Sequence, residues 1–183
     1  ALIGFCGAPW TVATYMIAGK GTPDQKPARM FAYRDPRTFQ RLIDLLVEAS
    51  ADYLVAQFEA GVVCVQIFDS WAGVLPKPEF DRWCMAPAKA IVEKVRARVP
   101  GALIIGFPRG ASTELAEFAA TTGVNAVGVD TAVDMAAAAR AVPAGVTVQG
   151  NLDPFALIAG GAALDRAVDY ILQSTAGRPH IFN

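Results

Sequence analysis

The chain has 183 residues, of which 54% are hydrophobic and 18% charged, against about 25% charged in an average soluble domain. That length holds one domain with a sizeable core, and the apolar excess fits strands covered on both faces. A net charge of −1, with no basic run or acidic tail, offers no footing to nucleic acid or a membrane surface as partner.

No apolar stretch reaches the roughly 18 residues of a spanning helix, and no basic-then-apolar leader is expected. Cys6, Cys64 and Cys84 are the three cysteines, without a C-x-x-C. They fit reduced thiols in a cytoplasmic protein, each read as packing.

The first apolar run, Leu2–Cys6, predicts a buried strand. Gly7 allows a tight turn after it, and Pro9 suits the first turn of a short helix carrying Trp10 and Tyr15. Aromatics just beyond the C-terminal end of a strand stand where α/β folds place their sites, although both would serve equally as core packing. A polar loop, taken to lie at the surface, spans Gly19–Lys26. Asp35-Pro36 then reads as an N-cap followed by proline at the first helical position. Phe39, Leu42, Ile43, Leu46, Val47, Tyr53, Leu54 and Phe58 follow the spacing of one buried helical face.

Further strands are predicted at Val62–Phe68, Ala102–Phe107, Ala126–Val129, Val146–Gln149 and His180–Phe182. They are near-continuous rather than alternating, as parallel strands buried on both faces should be. Gly61, Gly101, Gly123 and Gly145 each stand before a strand, where a helix C-terminus favours a left-handed residue. Pro78–Val99 is helical by pattern, with Phe80, Trp83, Ile91, Val92 and Val95 on one side, and Pro87 should kink or split it. Strand, helix, glycine, strand is the rhythm of parallel βα units. The fold class is α/β. A doubly wound sheet and a (β/α)₈ barrel both remain open, the barrel only if the chain is a fragment.

Several signatures are excluded. Gly4-x-x-Gly7 has the wrong spacing for a dinucleotide fingerprint, and Gly19-Lys20-Gly21-Thr22 lacks the P-loop's first glycine and its magnesium-binding hydroxyl. His180 is the lone histidine, and it reads as a core residue more readily than as one ligand of a metal site. Three further strand ends carry polar chemistry. After Phe68, Asp69 could act as acid, base or orienter and Ser70 could bond a substrate carboxylate, or both could serve only their own loop. Arg109, after Phe107-Pro108, could meet an anion or lie solvated. Gly150-Asn151-Leu152-Asp153 reads as loop architecture.

Side by side, these stretches resemble the uroporphyrinogen decarboxylase family. The phrases are GFCGAPWTVATYM (Gly4–Met16), QIFDSWAG (Gln66–Gly73), GVD (Gly128–Asp130) and QGNLDP (Gln149–Pro154), in the family's order. The resemblance covers all 183 residues, taken as a single partial-barrel domain, about half of a member of roughly 350 residues within the size range of such barrels. It implies a (β/α)₈ barrel of which about six units are present. It also implies conversion of uroporphyrinogen III to coproporphyrinogen III by loss of four carboxyl groups, without metal or organic cofactor, in haem synthesis. Tyr15 matches the family's active-site tyrosine and Ser70 its substrate-binding serine. Phe68, Asp69 and Arg109 are candidates for the pocket lining. No catalytic residue is assigned within the chain: the family's arginine-rich segment and essential aspartate would lie upstream, and its histidine just past Asn183. A homodimer is the family's habit for the full-length protein. The alternative on the same barrel is a zinc- and corrinoid-dependent methyltransferase, whose H-x-C is not matched by His180-Ile181-Phe182. The 183 residues alone are expected to be inactive and to fold poorly, because a partial barrel exposes two strand edges.

Overall fold

β1 (Ile3–Gly7) ends on a glycine, and Pro9 opens α1 (Pro9–Ala18) two residues later. In the computed structural model, which describes residues 2–183, this strand–helix step recurs along the chain. Among the described residues β2 (Cys64–Asp69), β3 (Ile104–Pro108), β4 (Ala126–Gly128), β5 (Thr147–Gln149) and β6 (His180–Ile181) complete one sheet. Every pairing is parallel and the spatial order equals the chain order. Each run expected to be a strand is one, with its ends displaced by no more than about two residues, the usual uncertainty of such boundaries.

The order decides the architecture. A doubly wound sheet reverses its strand order at a switch point, whereas here each strand adds to the same side of its predecessor. With right-handed crossovers the helices all fall on one face and leave the other bare. The result is α/β, an arc of (β/α)₈ barrel wall with β1 and β6 at its edges. Gly106 marks the helix side: a Cβ there would come within 2.6 Å of Phe118 on α6 (Leu115–Thr122). The register puts Phe5, Gln66 and Ile105 on the opposite, inner face, together with Phe68 and Phe107. Burial on both faces therefore does not hold for β1, where Ile3 and Phe5 are exposed while Gly4 and Cys6 are buried.

Between sheet and helices lies the core. Trp10 of α1 meets Phe39 edge-on at 5.9 Å, and Phe39 meets Trp83 at 4.8 Å. All three are fully buried. Such rings contribute both apolar burial and edge-to-face attraction. Phe39 rides on α3 (Pro36–Glu59), whose start is fixed by the Asp35 carboxylate accepting from Thr38 N at 3.0 Å. The helix buries Phe39, Ile43, Val47, Ala51, Leu54 and Val55, with Leu42, Leu46 and Phe58 packed at the margins. Tyr53 is exposed, because it stands one step off the 39-43-47-51-54 stripe.

Two local outcomes differ from the sequence reading, while the break expected at Pro87 is present. The loop after α1 is followed by a further helix, α2 (Lys26–Arg34), which buries only Ala28 and Ala32, and Gln25 at its start is buried rather than at the surface. The helical stretch around Pro87 becomes α4 (Lys77–Phe80), a π-turn (Asp81–Met85) and α5 (Ala86–Arg98), with Pro87 in the first turn of α5. The wider turn accommodates a residue that has no N–H to donate and whose ring would crowd the carbonyl four residues back. Gly123 caps α6 in the left-handed region (φ 77) as expected, but Gly145 does not take that conformation. The turn before β5 is instead closed by Val146 N donating to Pro143 O at 2.9 Å, after α7 (Met135–Ala141).

Candidate active site

The C-terminal ends of the strands form a continuous rim, because main-chain bonds carry the ladder on into the loops. Ala8 N donates to Phe68 O (2.8 Å), Arg109 N to Asp69 O (3.0 Å), Val129 N to Gln149 O (2.8 Å) and Gly150 N to Ile181 O (2.9 Å). Ser70, Arg109, Asp130 and Asn151 therefore leave the sheet at one level. Asn151 fixes two neighbouring segments by donating from Nδ2 to the carbonyls of Asp130 and Val133, both at 2.7 Å.

Ser70, Trp71, Arg109, Gly110, Ser112 and Asp130 line an open concavity of ≈ 470 Å³. Its walls stand close because Gly73 and Gly110 pack backbone to backbone, where a Cβ on Gly73 would overlap Gly110. Arg109 and Asp130 also border a second hollow of ≈ 360 Å³ beside Asn151 and Pro154. Arg109 Nε lies 3.9 Å from Asp130 Oδ1, while Asp130 Oδ2 accepts from Gly110 N. The Arg109 side chain is 58% exposed. A planar cation left this open can accept a carboxylate in the fork of its N–H groups.

Below the rim, the inner face carries three phenylalanines in a row. Phe5 and Phe68 meet edge-on at 5.8 Å, and Phe68 and Phe107 at 6.0 Å. Gly128 makes room for the third, since a Cβ there would lie 2.6 Å from the Phe107 ring. Gln66 and Gln149 sit beside them, 3.4 Å apart through their amides, with Gln149 Oε1 buried and without a hydrogen-bond partner among the described residues. Phe68 and Phe107 share a small hollow of ≈ 100 Å³ with Gln66, Gly128, Gln149 and Asn183.

Tyr15 is 45% exposed and its ring lies 6.4 Å from that of Trp71. The structure thus brings Tyr15 against the residue next to Ser70. Trp10, by contrast, is core, donating from Nε1 to Trp71 O at 3.0 Å. Asp69 does not line the cleft. It is 3% exposed and turned toward the helices, where Thr11 Oγ1 donates to its Oδ1 at 2.6 Å and the Cys84 thiol bonds it. The reason is the strand's period of two: with Phe68 facing inward, its neighbour must face outward. Burial pushes the Asp69 carboxyl up to about 6, against the lowering effect of the Thr11 and Cys84 bonds. The same burial, with Asp69 alongside, pushes the Cys84 thiol well up. His180, in register with Val148, lies on the helix side of the sheet rather than the inner face, its Nε2 on Gly150 O. Among the described residues no three His, Cys, Asp or Glu side chains are grouped so as to hold a metal ion, and no helix is long and apolar enough to cross a membrane.

The sequence model of the uroporphyrinogen decarboxylase (URO-D) family matches residues 1–183. The chain belongs to this family. The uroporphyrinogen decarboxylase of Rhizorhabdus wittichii is 57% identical over 181 residues, covering 99% of this chain and 53% of the relative. That of Chelativorans sp. is 55% identical over 183 residues (100% and 53%), and that of Sinorhizobium fredii 54% over 182 residues (100% and 53%). The chain spans about half the length of the curated relatives it matches. The four phrases that resemble the uroporphyrinogen decarboxylase family fall at one place in the fold. They end β1, β2, β4 and β5, and each runs over the same rim. Phe5, Phe107 and Gln149 stand in the stretches singled out in the sequence but are not among its site candidates, although counting alternate residues back from Phe68 in register would have found the inner face.

Proposed function

We propose that the protein containing this chain removes the carboxyl groups of the four acetate side chains of uroporphyrinogen III, giving coproporphyrinogen III for haem synthesis. The observation that carries this reading is the family match over residues 1–183, with its signature phrases gathered on one rim. In each turn of the reaction an acetate arm loses CO₂ and takes up one proton, leaving a methyl group. A pyrrole protonated beforehand accepts the electron pair of the breaking C–C bond, so catalysis needs a fixed negative charge near that ring. Tyr15 would orient the acid that supplies this charge through its hydroxyl, an indirect role of the kind that outer residues play around a reacting group. Ser70 and Arg109 would hold substrate carboxylates at the rim, and the Phe5–Phe68–Phe107 row would meet the pyrrole faces. With a chain charge of −1, such local donors rather than the overall field would draw in a substrate bearing eight carboxylates.

The chemistry asks for no metal or organic cofactor. A single partial-barrel domain over residues 1–183, a homodimer of the full-length protein and a cytoplasmic setting complete the reading, with neither nucleic acid nor membrane as partner. The test is anaerobic incubation of the complete protein with uroporphyrinogen III, with and without a chelator, followed by oxidation and chromatography of the porphyrins. Coproporphyrin should accumulate equally in both. Absence of product, or turnover that stops with chelation and returns with zinc, overturns the proposal.

A further inference from the structure

The helix that carries Tyr15 and the loop that carries Ser70 leave adjacent strands, β1 and β2, and are tied together by a chain of polar contacts. Thr11 Oγ1 donates to Asp69 Oδ1 at 2.6 Å and accepts from Trp71 N at 3.3 Å. The direction follows from the partners: the Trp71 N–H can only donate and the ionised carboxylate can only accept, so the hydroxyl's one proton goes to Asp69. Trp71 O in turn accepts from Trp10 Nε1 at 3.0 Å, and Phe68 O from Ala8 N at 2.8 Å. The residues on both sides of Ser70 are thereby bonded to the first turn of α1, one turn ahead of Tyr15. Asp69 and Thr11 are both buried. None of the ion pairs among the described residues includes Asp69, so its carboxyl is held only by hydroxyl, thiol and main-chain groups. A carboxyl kept out of water without a cation is a costly way to fill space, and an apolar residue would serve packing better.

We infer that Asp69 and Thr11 are a positioning pair that sets where Ser70 and Tyr15 stand relative to each other and so shapes the substrate mouth. Neither touches substrate. The inference rests on the porphyrinogen reading of that mouth for its kinetic consequence, but the clip itself can be read without any substrate.

The experiment uses the complete protein with Thr11→Val, which keeps the shape and removes both bonds, and Thr11→Ser, which keeps the hydroxyl. Each is made alone and in a Ser70→Ala background, and decarboxylation is measured together with amide hydrogen exchange. Thr11→Val should lower kcat/KM about tenfold, mainly through KM, as small misplacements in a site do, and Thr11→Ser should restore it. In the Ser70→Ala background the same change should cost less than about twofold, because residues acting through one another are not additive. Exchange over residues 70–74 should quicken in Thr11→Val while residues 104–108 stay protected. Equal losses in both backgrounds, or unchanged exchange over residues 70–74, overturn the inference. If Thr11→Val fails to fold, Asp69→Leu, of similar shape but without an acceptor, is judged by the same two criteria. If the unmodified protein does not decarboxylate, the functional reading fails, and the exchange rates alone decide whether the clip holds the loop.

Discussion

At the scale of single residues, the rim divides side chains by which way they face. Tyr15 is half-exposed and its ring lies beside that of Trp71, so Tyr15→Phe removes a donor without disturbing the core. In the complete protein it should lower the proposed decarboxylation's kcat/KM by about tenfold, the effect of losing an orienting group, with the melting temperature unchanged. Asp69 faces the other way and should register in stability. Its folded value of about 6 exceeds its ordinary 3.8, so between those values the folded state binds more protons than the unfolded state. Stability from this group is therefore full below about pH 4 and is lost as pH rises through about 6, by roughly 3 kcal/mol. Thermal melts of the complete protein from pH 4 to 7 should show Asp69→Asn gaining on the wild type as pH rises. A constant difference would mean that the carboxyl does not titrate in that window. The Phe68-Asp69 pair also marks where the sequence could mislead. Both residues looked like pocket lining, yet adjacent residues of a strand cannot share a face, and only the register shows which one turns inward.

At the scale of elements, ends matter more than middles. α3 was legible because Asp35-Pro36 announces its start and large apolar residues trace its stripe. α2 was not, because Ala28 and Ala32 bury too little to leave a pattern. Removing the α3 cap with Asp35→Ala should destabilise the fold, read as a lower urea midpoint with an unchanged slope. A less obvious tie holds α7 and the turn into β5. The Arg178 guanidinium donates to the carbonyls of Ala139, Val142 (3.3 Å), Pro143 (3.4 Å) and Val146 (2.6 Å). It satisfies carbonyls that the end of a helix leaves without partners. Arg178→Lys keeps the charge but loses the planar fork, and should destabilise by roughly 2 kcal/mol in the same urea assay. Nothing in the residues around Arg178 hinted at this, since its acceptors are main-chain atoms more than thirty positions away.

At the scale of the whole molecule, the strand rhythm was readable and the winding was not. Apolar runs and glycines reveal strands and turns, but the choice between barrel and doubly wound sheet depends on which neighbour each strand takes. The arc has two unpaired edges, with Leu2, Ile3 and Phe5 exposed at one and Phe155, Leu157 and Ile158 exposed on α8 (Pro154–Ala159). Produced as residues 1–183 alone, the chain should self-associate through these surfaces, seen as broad, concentration-dependent elution. A monodisperse monomer would contradict this. The one-after-another strand order has a consequence for how the molecule comes into being. Among the described strands each finds its partner in the unit just made, so no pairing within the arc must wait for a distant part of the chain. Loop closure is short at each step, and a chain emerging from the ribosome can lay down each new strand on a template already in place. The arc is built to grow from its newest edge.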